Sequence, residues 1–491
     1  MKADRRICKK KQPFEELAPI DLQKCNTVAE IVYAMRQCSF GARMLGEATE
    51  TFYKWTLDNE PPVAIYDGKP NTPLAALLNR MVGCKMLKMV VTSENYSCAS
   101  SSSDKLVIVG GYPERVSCQL YNHPAIFINQ FGLANPKQVK DGHFSNVVFA
   151  DPQFVLPVIF YSLKERREYA ITSVSDLLEN DLSGFDGLAA DVVQGAKILK
   201  AMIDDKDCSV FLTISGAMTI AQMSLIFCDM IDKGWIKGIS ATGALMAHGL
   251  IQSLGLKHYK HNPEVDDHAL AKRSLNRVTD TLEPETNFDH LDEAIDSILK
   301  NFGRKPKPIS PTLFHLMIGK YLAEKYPDER GILKSAYQKK VPVFVPAFVD
   351  SEIGNDFYVH NLIRQKSGKK PLVMNLERDT EILVDMAVRS KRMGIFTIGG
   401  GVPRNNIQNV APLLEIIRNR TSDKKIPLKQ FSYGCRIAPD PMWLGHLSGC
   451  TYNEGKSWKK MDIHGKFAEV HCDATIILPF IVKYVMEQME K

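Results

Sequence analysis

The segment GKFAEVHCDATIILPFIV, residues 465–482, has the pattern on which the fold depends. A strand-like run ends at Asp473, and an apolar run that suits a helix follows directly. A second segment, GHFSNVVFADPQFVLPVIF at 142–160, aligns with the first when one residue is gapped. The two segments predict a strand and a helix that occur twice in the chain.

Two further pairs of segments occur in the same order. LVIVGGYPER (106–115) aligns with FTIGGGVPRN (396–405), and MLKMVVTS (86–93) lies where GWIKGISAT (234–242) would. Any two parallel-sheet segments share a strand–glycine–helix pattern, which is the alternative explanation. The preserved order favours domain duplication. We therefore predict a basic flexible tail (1–38) with one helix near 28–37, a shortened degenerate copy (39–170) and a core module (171–491).

The middle of the second part, roughly 267–302 and 311–340, is predicted to be helical with breaks. Strands are predicted at 63–66, 89–92, 105–109 and 146–150 in the first part and at 208–214, 236–240, 341–348 and 392–398 in the second, and they alternate with helices. This alternation predicts an α/β fold with a doubly wound, mostly parallel sheet of Rossmann-like type and a degenerate N-terminal partial repeat. Ligands of such sheets bind beyond the carboxyl ends of the strands. The polar or glycine-rich strand ends are therefore the first places to look for a site.

Composition excludes several classes of function. Eleven cysteines without a CxxC pair indicate reduced thiols and a cytoplasmic protein. The net charge of +6 is small for 491 residues, and the basic cluster lies in the first eleven, so we expect neither nucleic acid as a partner nor a secretory signal. No apolar run reaches the ~18 residues that span a bilayer. The histidines of HYKH (258–261) and His248 have no acidic or thiol neighbours in sequence, so we expect no metal.

Two strand ends have polar or glycine-rich turns. Gly399, Gly400 and Gly401 let the backbone approach a phosphate closely, although the spacing is not GxGxxG and a tight strand-to-helix turn is the alternative. The turn VDSEIGND, residues 349–356, carries three carboxylates that could bind ribose hydroxyls or a polyamine. A solvated acidic loop explains the second turn equally well.

The loop SGCTYNEGKSWKKM, residues 448–461, has one carboxylate, one indole and two adjacent lysines. An amine nucleophile needs a lowered pKa, which burial and a neighbouring cation provide. The two adjacent lysines, Lys459 and Lys460, could provide such a nucleophile and its neighbouring cation, although a lysine of this loop could equally point to solvent. An ordinary basic surface loop is the alternative, and from this segment alone it is favoured.

Five segments together resemble the deoxyhypusine synthase family, and most closely its bacterial and archaeal branch. They are residues 239–251, 341–356, 396–406, 448–461 and 471–482. The resemblance covers about 173–491. It implies that NAD oxidises spermidine, that the aminobutyl group is held as an imine on a lysine, and that an acceptor amine then receives it. The acceptor is a lysine of the translation factor 5A precursor in the true synthases and a free amine such as putrescine in some relatives.

The resemblance also assigns residues. Lys460 would carry the imine, while Glu454, Trp458, Asn355 and Asp356 would bind the substrate. The residues that would contact NAD are Thr242, Gly243, Asp350, Gly400, Gly401, Asp473 and Ala474.

Several positions depart from the family pattern. Lys459 replaces a glycine, Asn405 replaces a histidine of the eukaryotic enzymes, and Leu447 and Asn355 replace acidic spermidine ligands; His248 replaces a glutamate. The cofactor residues are largely kept, whereas the polyamine end is altered. Two alternatives to deoxyhypusine synthesis follow: a homospermidine-forming or other transferase acting on a free amine, and a silent paralogue that activates a partner. A plain amine dehydrogenase is a third.

The family's sites lie between subunits. We therefore expect a homo-oligomer, tetramer-like, or a hetero-oligomer with a paralogue.

Overall fold

A computed structural model describes residues 14–96, 104–110, 123–129, 144–303 and 306–491. The described residues form a five-stranded sheet, a six-stranded sheet and a small three-stranded sheet. Every strand pair of the two large sheets is parallel. The predicted α/β class with mostly parallel sheets is therefore confirmed.

The first large sheet and its helices form what we call the N-terminal module, residues 40–168. Its strands are β1 Val63–Tyr66, β2 Met89–Val91, β3 Leu106–Val109, β4 Ala125–Asn129 and β5 Asn146–Phe149. Their order in the sheet is β2-β1-β3-β4-β5. The helices of this part, with one that precedes the module, are α1 Val28–Met35, α2 Phe40–Leu57, α3 Pro73–Gly83 and α4 Pro152–Glu168.

The second large sheet belongs to the C-terminal module, residues 188–490, and has the order β11-β7-β6-β12-β13-β14. The three-stranded sheet is antiparallel, with the order β8-β10-β9. The strands are β6 Cys208–Ile214, β7 Gly238–Ala241, β8 Tyr259–Lys260, β9 Leu275–Val278, β10 Thr281–Pro284, β11 Val343–Phe344, β12 Arg392–Ile398, β13 Phe431–Ile437 and β14 Met461–Val470. The helices are α5 Leu188–Asp204, α6 Ser224–Asp232, α7 Gly243–Ser253, α8 Asp267–Ala271, α9 Glu285–Leu299, α10 Pro311–Lys325, α11 Ile332–Lys339, α12 Glu352–Lys366, α13 Glu377–Arg389, α14 Gly401–Gln408, α15 Val410–Thr421, α16 Tyr452–Ser457 and α17 Ala474–Glu490.

The two large sheets share one strand order. Taken in order along the chain, the strands β1 to β5 of the first sheet match β6, β7, β12, β13 and β14 of the second. The matched strands are arranged in the same spatial order, β2-β1-β3-β4-β5 in one sheet and β7-β6-β12-β13-β14 in the other. The second sheet adds β11 at its edge. We propose from this shared order that the N-terminal module is a shortened copy of the C-terminal one.

Two aspartates join the modules in the same way. Asp151 caps α4 and Asp473 caps α17, and each accepts a backbone N–H of its own helix at 2.9 Å. The second carboxylate oxygen of Asp151 accepts the N–H of Leu188 (3.3 Å), at the start of α5 in the other module. That of Asp473 accepts the N–H of Gly41 (3.1 Å), at the start of α2. The contact is therefore reciprocal between the modules.

The predicted tail differs from what the structure shows. Residues 1–13 lie outside the described part of the chain, but the chain packs against the C-terminal module from residue 14. Leu17 and Leu22 are buried, and the backbone N–H of Leu17 donates to the carbonyl of His258 (3.0 Å). The prediction of a flexible segment is therefore wrong for residues 14–27, where apolar side chains hold the chain, whereas the helix predicted near 28–37 is present as α1.

Some elements escaped prediction from the sequence. Strands β4 and β13 and the β9–β10 hairpin were not expected, and the strand predicted at 341–348 is limited to Val343–Phe344. The hairpin lies inside a region that was expected to be helical. Residues 111–115 and 142–143 of the aligned segments lie outside the described residues.

The two modules share one hydrophobic core, which gives a stability prediction. Phe154 of α4 and Phe480 of α17 are fully buried and pack edge to face with ring centroids 5.5 Å apart. We expect Phe154→Ala to lower the free energy of unfolding by about 3–5 kcal/mol, because it leaves a cavity in that core. Urea unfolding followed by circular dichroism should show one transition at a lower midpoint. An unchanged transition for the C-terminal module would contradict a shared core.

Candidate functional site

A cavity of about 410 Å³ lies at the carboxyl ends of β6, β12 and β13 and at the start of α17. Its walls include Ser215, Gly400, Gly401, Ser448, Asp473 and Ala474. The structure therefore brings together four of the seven predicted cofactor residues: Gly400, Gly401, Asp473 and Ala474.

The glycine turn after β12 forms one wall of this cavity. A Cβ atom on Gly400 would lie 2.3 Å from the Cα of Ser448, so no larger residue fits there. Gly401 has a φ of +63°, in the left-handed region that favours glycine. The N–H of Gly400 donates to Ser215 Oγ (2.8 Å), which fixes the turn against the end of β6. Ser215 was not assigned from the sequence.

The other three predicted cofactor residues form a second group along the same sheet edge. A Cβ on Gly243 would lie 3.2 Å from the carbonyl oxygen of Asp350, so the turns after β7 and β11 are in contact. The N–H of Thr242 lies 3.4 Å from the carbonyl of Ile214, at the end of β6. Thr242, Gly243 and Asp350 do not line the cavity, but they continue the row of strand ends beside it.

Asp473 lies both at the start of α17 and at the cavity. Its side chain caps α17, and it also lines the cavity. Burial raises the pKa of this carboxyl above its ordinary value, and the N–H groups of Thr475 and Gly41 counteract this by stabilising the ionised form. Asp440 lines the cavity as well, so the cavity has two carboxyl groups.

These features fit a dinucleotide. A turn without side chains allows close approach of the backbone to a pyrophosphate, and carboxylates accept hydrogen bonds from ribose hydroxyls. The position at the carboxyl ends of parallel strands is where such sheets bind ligands.

Lys460 lies beside the helix that starts at the glycine turn. Its Nζ is 2.8 Å from Oδ1 of Asn405 in α14 and 5.9 Å from the centre of the Trp458 ring. Burial lowers the pKa of Lys460, and the positive charge of Arg404 lowers it further. A lowered pKa increases the fraction of neutral amine, which a nucleophile requires. Lys460 is outside the lining of the cavity itself.

The cation that acts on Lys460 is Arg404 rather than Lys459. Lys459 Nζ pairs with Glu415 at 2.6 Å, and its side chain is exposed. Arg404 instead acts on Lys460. Lys459 has a φ of +57° and β14 begins two residues later, at Met461, so the side chains of Lys459 and Lys460 separate and Lys459 takes the solvent-exposed alternative.

Glu454 and Trp458 lie on an exposed short helix rather than in a closed pocket. Glu454 forms a capping box with Thr451 at the start of α16, and the backbone N–H of Thr451 lowers the pKa of its carboxyl. Trp458 ends that helix and is 68% exposed. Both belong to the short helix that leads to Lys460, but the cap already occupies one carboxylate oxygen of Glu454.

Two arginines hold the lysine loop in place. The carbonyl of Cys450 accepts hydrogen bonds from Arg404 Nη1 (2.7 Å) and Arg436 Nη1 (2.9 Å). Arg436 is fully buried and also bonds Glu469 at 2.9 Å. Glu469 in turn accepts the backbone N–H of Tyr452, the first residue of α16. Neither arginine was assigned from the sequence.

The acidic turn after β11 places its carboxylates beside those of another helix. Burial, together with the neighbouring carboxyl groups of Asp292, Glu352 and Asp296, raises the pKa of Asp356 to about 7. Asn355, the neighbouring predicted ligand, is exposed. The turn and α9 thus form one acidic cluster, whose members from α9 were not expected.

The histidines near α7 have an acidic partner that the sequence did not reveal. Glu283 of β10 lies 2.6 Å from His248 Nδ1 and 3.2 Å from His258 Nε2. Burial alone would lower the pKa of His248, but Glu283 raises it above the ordinary value. Gln222 Nε2 lies 3.3 Å from His258 Nδ1 and donates to it, which leaves the proton of His258 on the nitrogen facing Glu283. This arrangement suits a buried hydrogen-bonded triad, and the expectation that these histidines lack acidic partners is wrong.

Residues 179–485 of the chain match the family model for deoxyhypusine synthase. The chain is 34% identical over 297 residues to "Probable deoxyhypusine synthase 1" of Archaeoglobus fulgidus, covering 60% of this chain and 88% of the relative. It is 31% identical over 317 residues to "Probable deoxyhypusine synthase 2" of Methanosarcina acetivorans (64% and 87%). It is 30% identical over 298 residues to the "Deoxyhypusine synthase-like protein" of Chlorobaculum tepidum (60% and 81%).

The matched region contains the glycine turn, the acidic turn and the lysine loop, and the three relatives named above are archaeal or bacterial. The chain belongs to the deoxyhypusine synthase family.

Proposed function

We propose that the chain transfers the aminobutyl group of spermidine to an acceptor amine through an imine on Lys460, with NAD as cofactor. The observation that carries the proposal is the state of this lysine: a partly buried amine with a lowered pKa, bonded to Asn405 and next to Arg404. Membership of the family supports the reaction class, and the glycine-lined cavity supports the cofactor.

The cofactor residues in this proposal are Thr242, Gly243, Asp350, Gly400, Gly401, Asp473 and Ala474. When bound, NAD supplies the acceptor for the hydride removed from spermidine and the donor for the final reduction. Gly400 and Gly401 would leave room for its pyrophosphate, and Asp473 would accept a hydrogen bond from a ribose hydroxyl.

The chain's part in the transfer is proton handling and covalent attachment. Oxidation would remove a hydride and a proton from spermidine and leave an imine. The neutral amine of Lys460 would add to the imine carbon, both of its N–H protons would pass to the departing nitrogen, and diaminopropane would leave as its bond to that carbon breaks. The aminobutyl group would remain as an imine on Lys460 until the acceptor amine adds to the same carbon and passes its two protons to the lysine nitrogen. Lys460 would then leave as a free amine, and a hydride and a proton would reduce the new imine to the product amine. Arg404 favours these steps because it disfavours a second positive charge at Lys460.

The substrate end of the proposed site combines Glu454, Trp458, Asn355 and Asp356. Carboxylates attract the ammonium groups of a polyamine, and an exposed indole offers a face on which a cation can stack. The acceptor is either the precursor lysine of translation factor 5A or a free amine such as putrescine.

One observation favours a silent paralogue: the carboxylate of Glu454 already caps α16 and is therefore less available to an ammonium group of the substrate. In that case the chain would act by activating a partner.

We also propose an oligomer in the cytoplasm. Helix α12 exposes four apolar side chains that a second chain could cover: Tyr358, Val359, Leu362 and Ile363. Among the described residues, no helix is both long and apolar enough to cross a lipid bilayer.

The proposal is tested by incubating the purified protein with NAD and spermidine and identifying the products by mass spectrometry. Diaminopropane is expected. Labelled precursor of translation factor 5A or putrescine, added in separate reactions, reveals the acceptor. Diaminopropane formed only after a paralogue is added would favour the silent alternative. Accumulation of NADH without transfer would indicate an amine dehydrogenase.

Replacement of Lys460 tests the imine directly. Borohydride reduction with NAD and spermidine should trap an aminobutyl adduct on Lys460, and Lys460→Ala should lose it together with essentially all transfer. Lys459→Ala is the matched control, because Lys459 is adjacent in sequence but pairs with Glu415. An adduct that persists in Lys460→Ala would refute the assignment.

Asp356 gives a pH prediction. Its pKa of about 7 means that the carboxyl is mostly protonated at pH 6 and mostly ionised at pH 8. Because an ammonium ligand binds the ionised form, spermidine affinity should rise about tenfold from pH 6 to pH 8. Asp356→Asn should lower the affinity at pH 8 and flatten this dependence in calorimetric titrations.

The control for this prediction is Asp379→Asn, which removes another carboxyl with a raised pKa that lies on α13 and accepts the N–H of Thr312. The pH dependence should survive in this variant. If it also survives in Asp356→Asn, the acidic cluster does not bind the polyamine.

A further inference from the structure

The cavity at the glycine turn has one wall that comes from the N-terminal module. Phe40, the first residue of α2, lines it together with Gly400, Asp473 and Ala474 of the C-terminal module. We propose that Phe40 is a binding residue for the dinucleotide, so that the N-terminal module forms part of the cofactor site. This inference rests on the proposed function, because it takes the cavity to be the cofactor site.

Phe40 is held in a backbone conformation that is unusual for an aromatic residue. Its φ is +57°, in the left-handed region. Bulky residues rarely adopt this conformation, and such strained positions cluster at ligand sites. The backbone N–H of Phe40 donates to the carboxylate of Asp280 (3.1 Å). The buried Arg43 pairs with the same carboxylate at 3.1 Å and therefore fixes Asp280. The strain is thus maintained by contacts between the modules.

The equivalent position in the other module shows that an aromatic side chain is not needed for the contact between modules. Gly187 precedes Leu188, the donor to Asp151, as Phe40 precedes Gly41, the donor to Asp473. Gly187 also has a positive φ, of +59°. The reciprocal hydrogen bond therefore forms with glycine at this place.

Phe40 packs against the shared hydrophobic core but is only partly buried, so part of it is available to a ligand. It lines a cavity whose other walls are glycines, hydroxyl-bearing residues, apolar residues and two carboxyl groups. Aromatic side chains bind the planar rings of nucleotides by stacking, which adds affinity without reading a specific pattern of donors. A dinucleotide has two such rings, so its chemistry suits this wall.

This placement gives the N-terminal module a role although no equivalent of the lysine loop was found in it. The first N–H groups of α2 bond Asp473 and the hydroxyl of Thr475 (3.1 and 3.0 Å), which sets Phe40 at the cavity. The module thus contributes to holding the cofactor.

The test is calorimetric titration of the purified full-length chain with NAD in the absence of polyamine. Phe40→Ala should weaken NAD binding about tenfold. Phe40→Gly should weaken it to a similar extent while it removes the backbone strain, so this variant keeps the test usable if the alanine variant does not fold. Tyr33→Ala is the control, since it truncates an exposed aromatic residue of α1 outside the cavity. Its NAD affinity should equal that of the parent chain.

The outcomes separate the two proposals. A parent chain that binds NAD together with Phe40 variants of unchanged affinity would overturn the role of Phe40 and leave the proposed function intact. Weaker binding in both Phe40 variants, with an unchanged Tyr33→Ala, would support it. A parent chain that does not bind NAD at millimolar concentration would overturn the cofactor assignment and this inference together.

Discussion

The reciprocal contact of Asp151 and Asp473 is the constraint on which the arrangement of the chain depends. Each aspartate lies two or three residues after a strand, caps the helix that follows, and accepts an N–H group from the first helix of the opposite module. One short side chain therefore fixes three elements at once. Asp473 also lines the cavity, so one carboxylate both joins the modules and forms part of the wall of the candidate cofactor site. The two functions of the interface cannot vary independently.

The lysine loop depends on a second constraint, which connects it to the cavity. Arg404 follows the glycine turn and Arg436 lies in β13, and both donate to the carbonyl of Cys450. The loop is thereby drawn over Gly400, where Ser448 leaves no space for a side chain. Arg404 also lowers the pKa of Lys460. The residue that positions the loop is thus also the one that favours a neutral amine at its end.

The sequence predicted the parts of the fold that local pattern determines. Val63–Tyr66, Cys208–Ile214 and Arg392–Ile398 were predicted with the bounds that they have, since each begins or ends at a clear change of polarity. Strand Phe431–Ile437 was missed because its buried Arg436 interrupts the apolar run, and its charge is compensated by Glu469 of the next strand. Likewise Glu283, which joins two histidines, is distant in sequence from His248. Charges that are paired by the fold, rather than by sequence neighbours, were the ones that prediction could not place.

The environment of Lys460 shows what the sequence could and could not give at the site. The spacing of Thr451 and Glu454 fits a capping box, so the role of Glu454 could have been predicted from the sequence. The pairing of Lys459 with Glu415 could not, because the two residues come together only in the folded chain. Asn405 accepts a hydrogen bond from Lys460 at the position where the resemblance implies a histidine. An amide oxygen can orient an amine but cannot take up its proton near neutral pH. The proton of Lys460 must therefore pass to solvent or to an amine of the substrate, and Arg404 makes that loss easier by disfavouring the charged lysine.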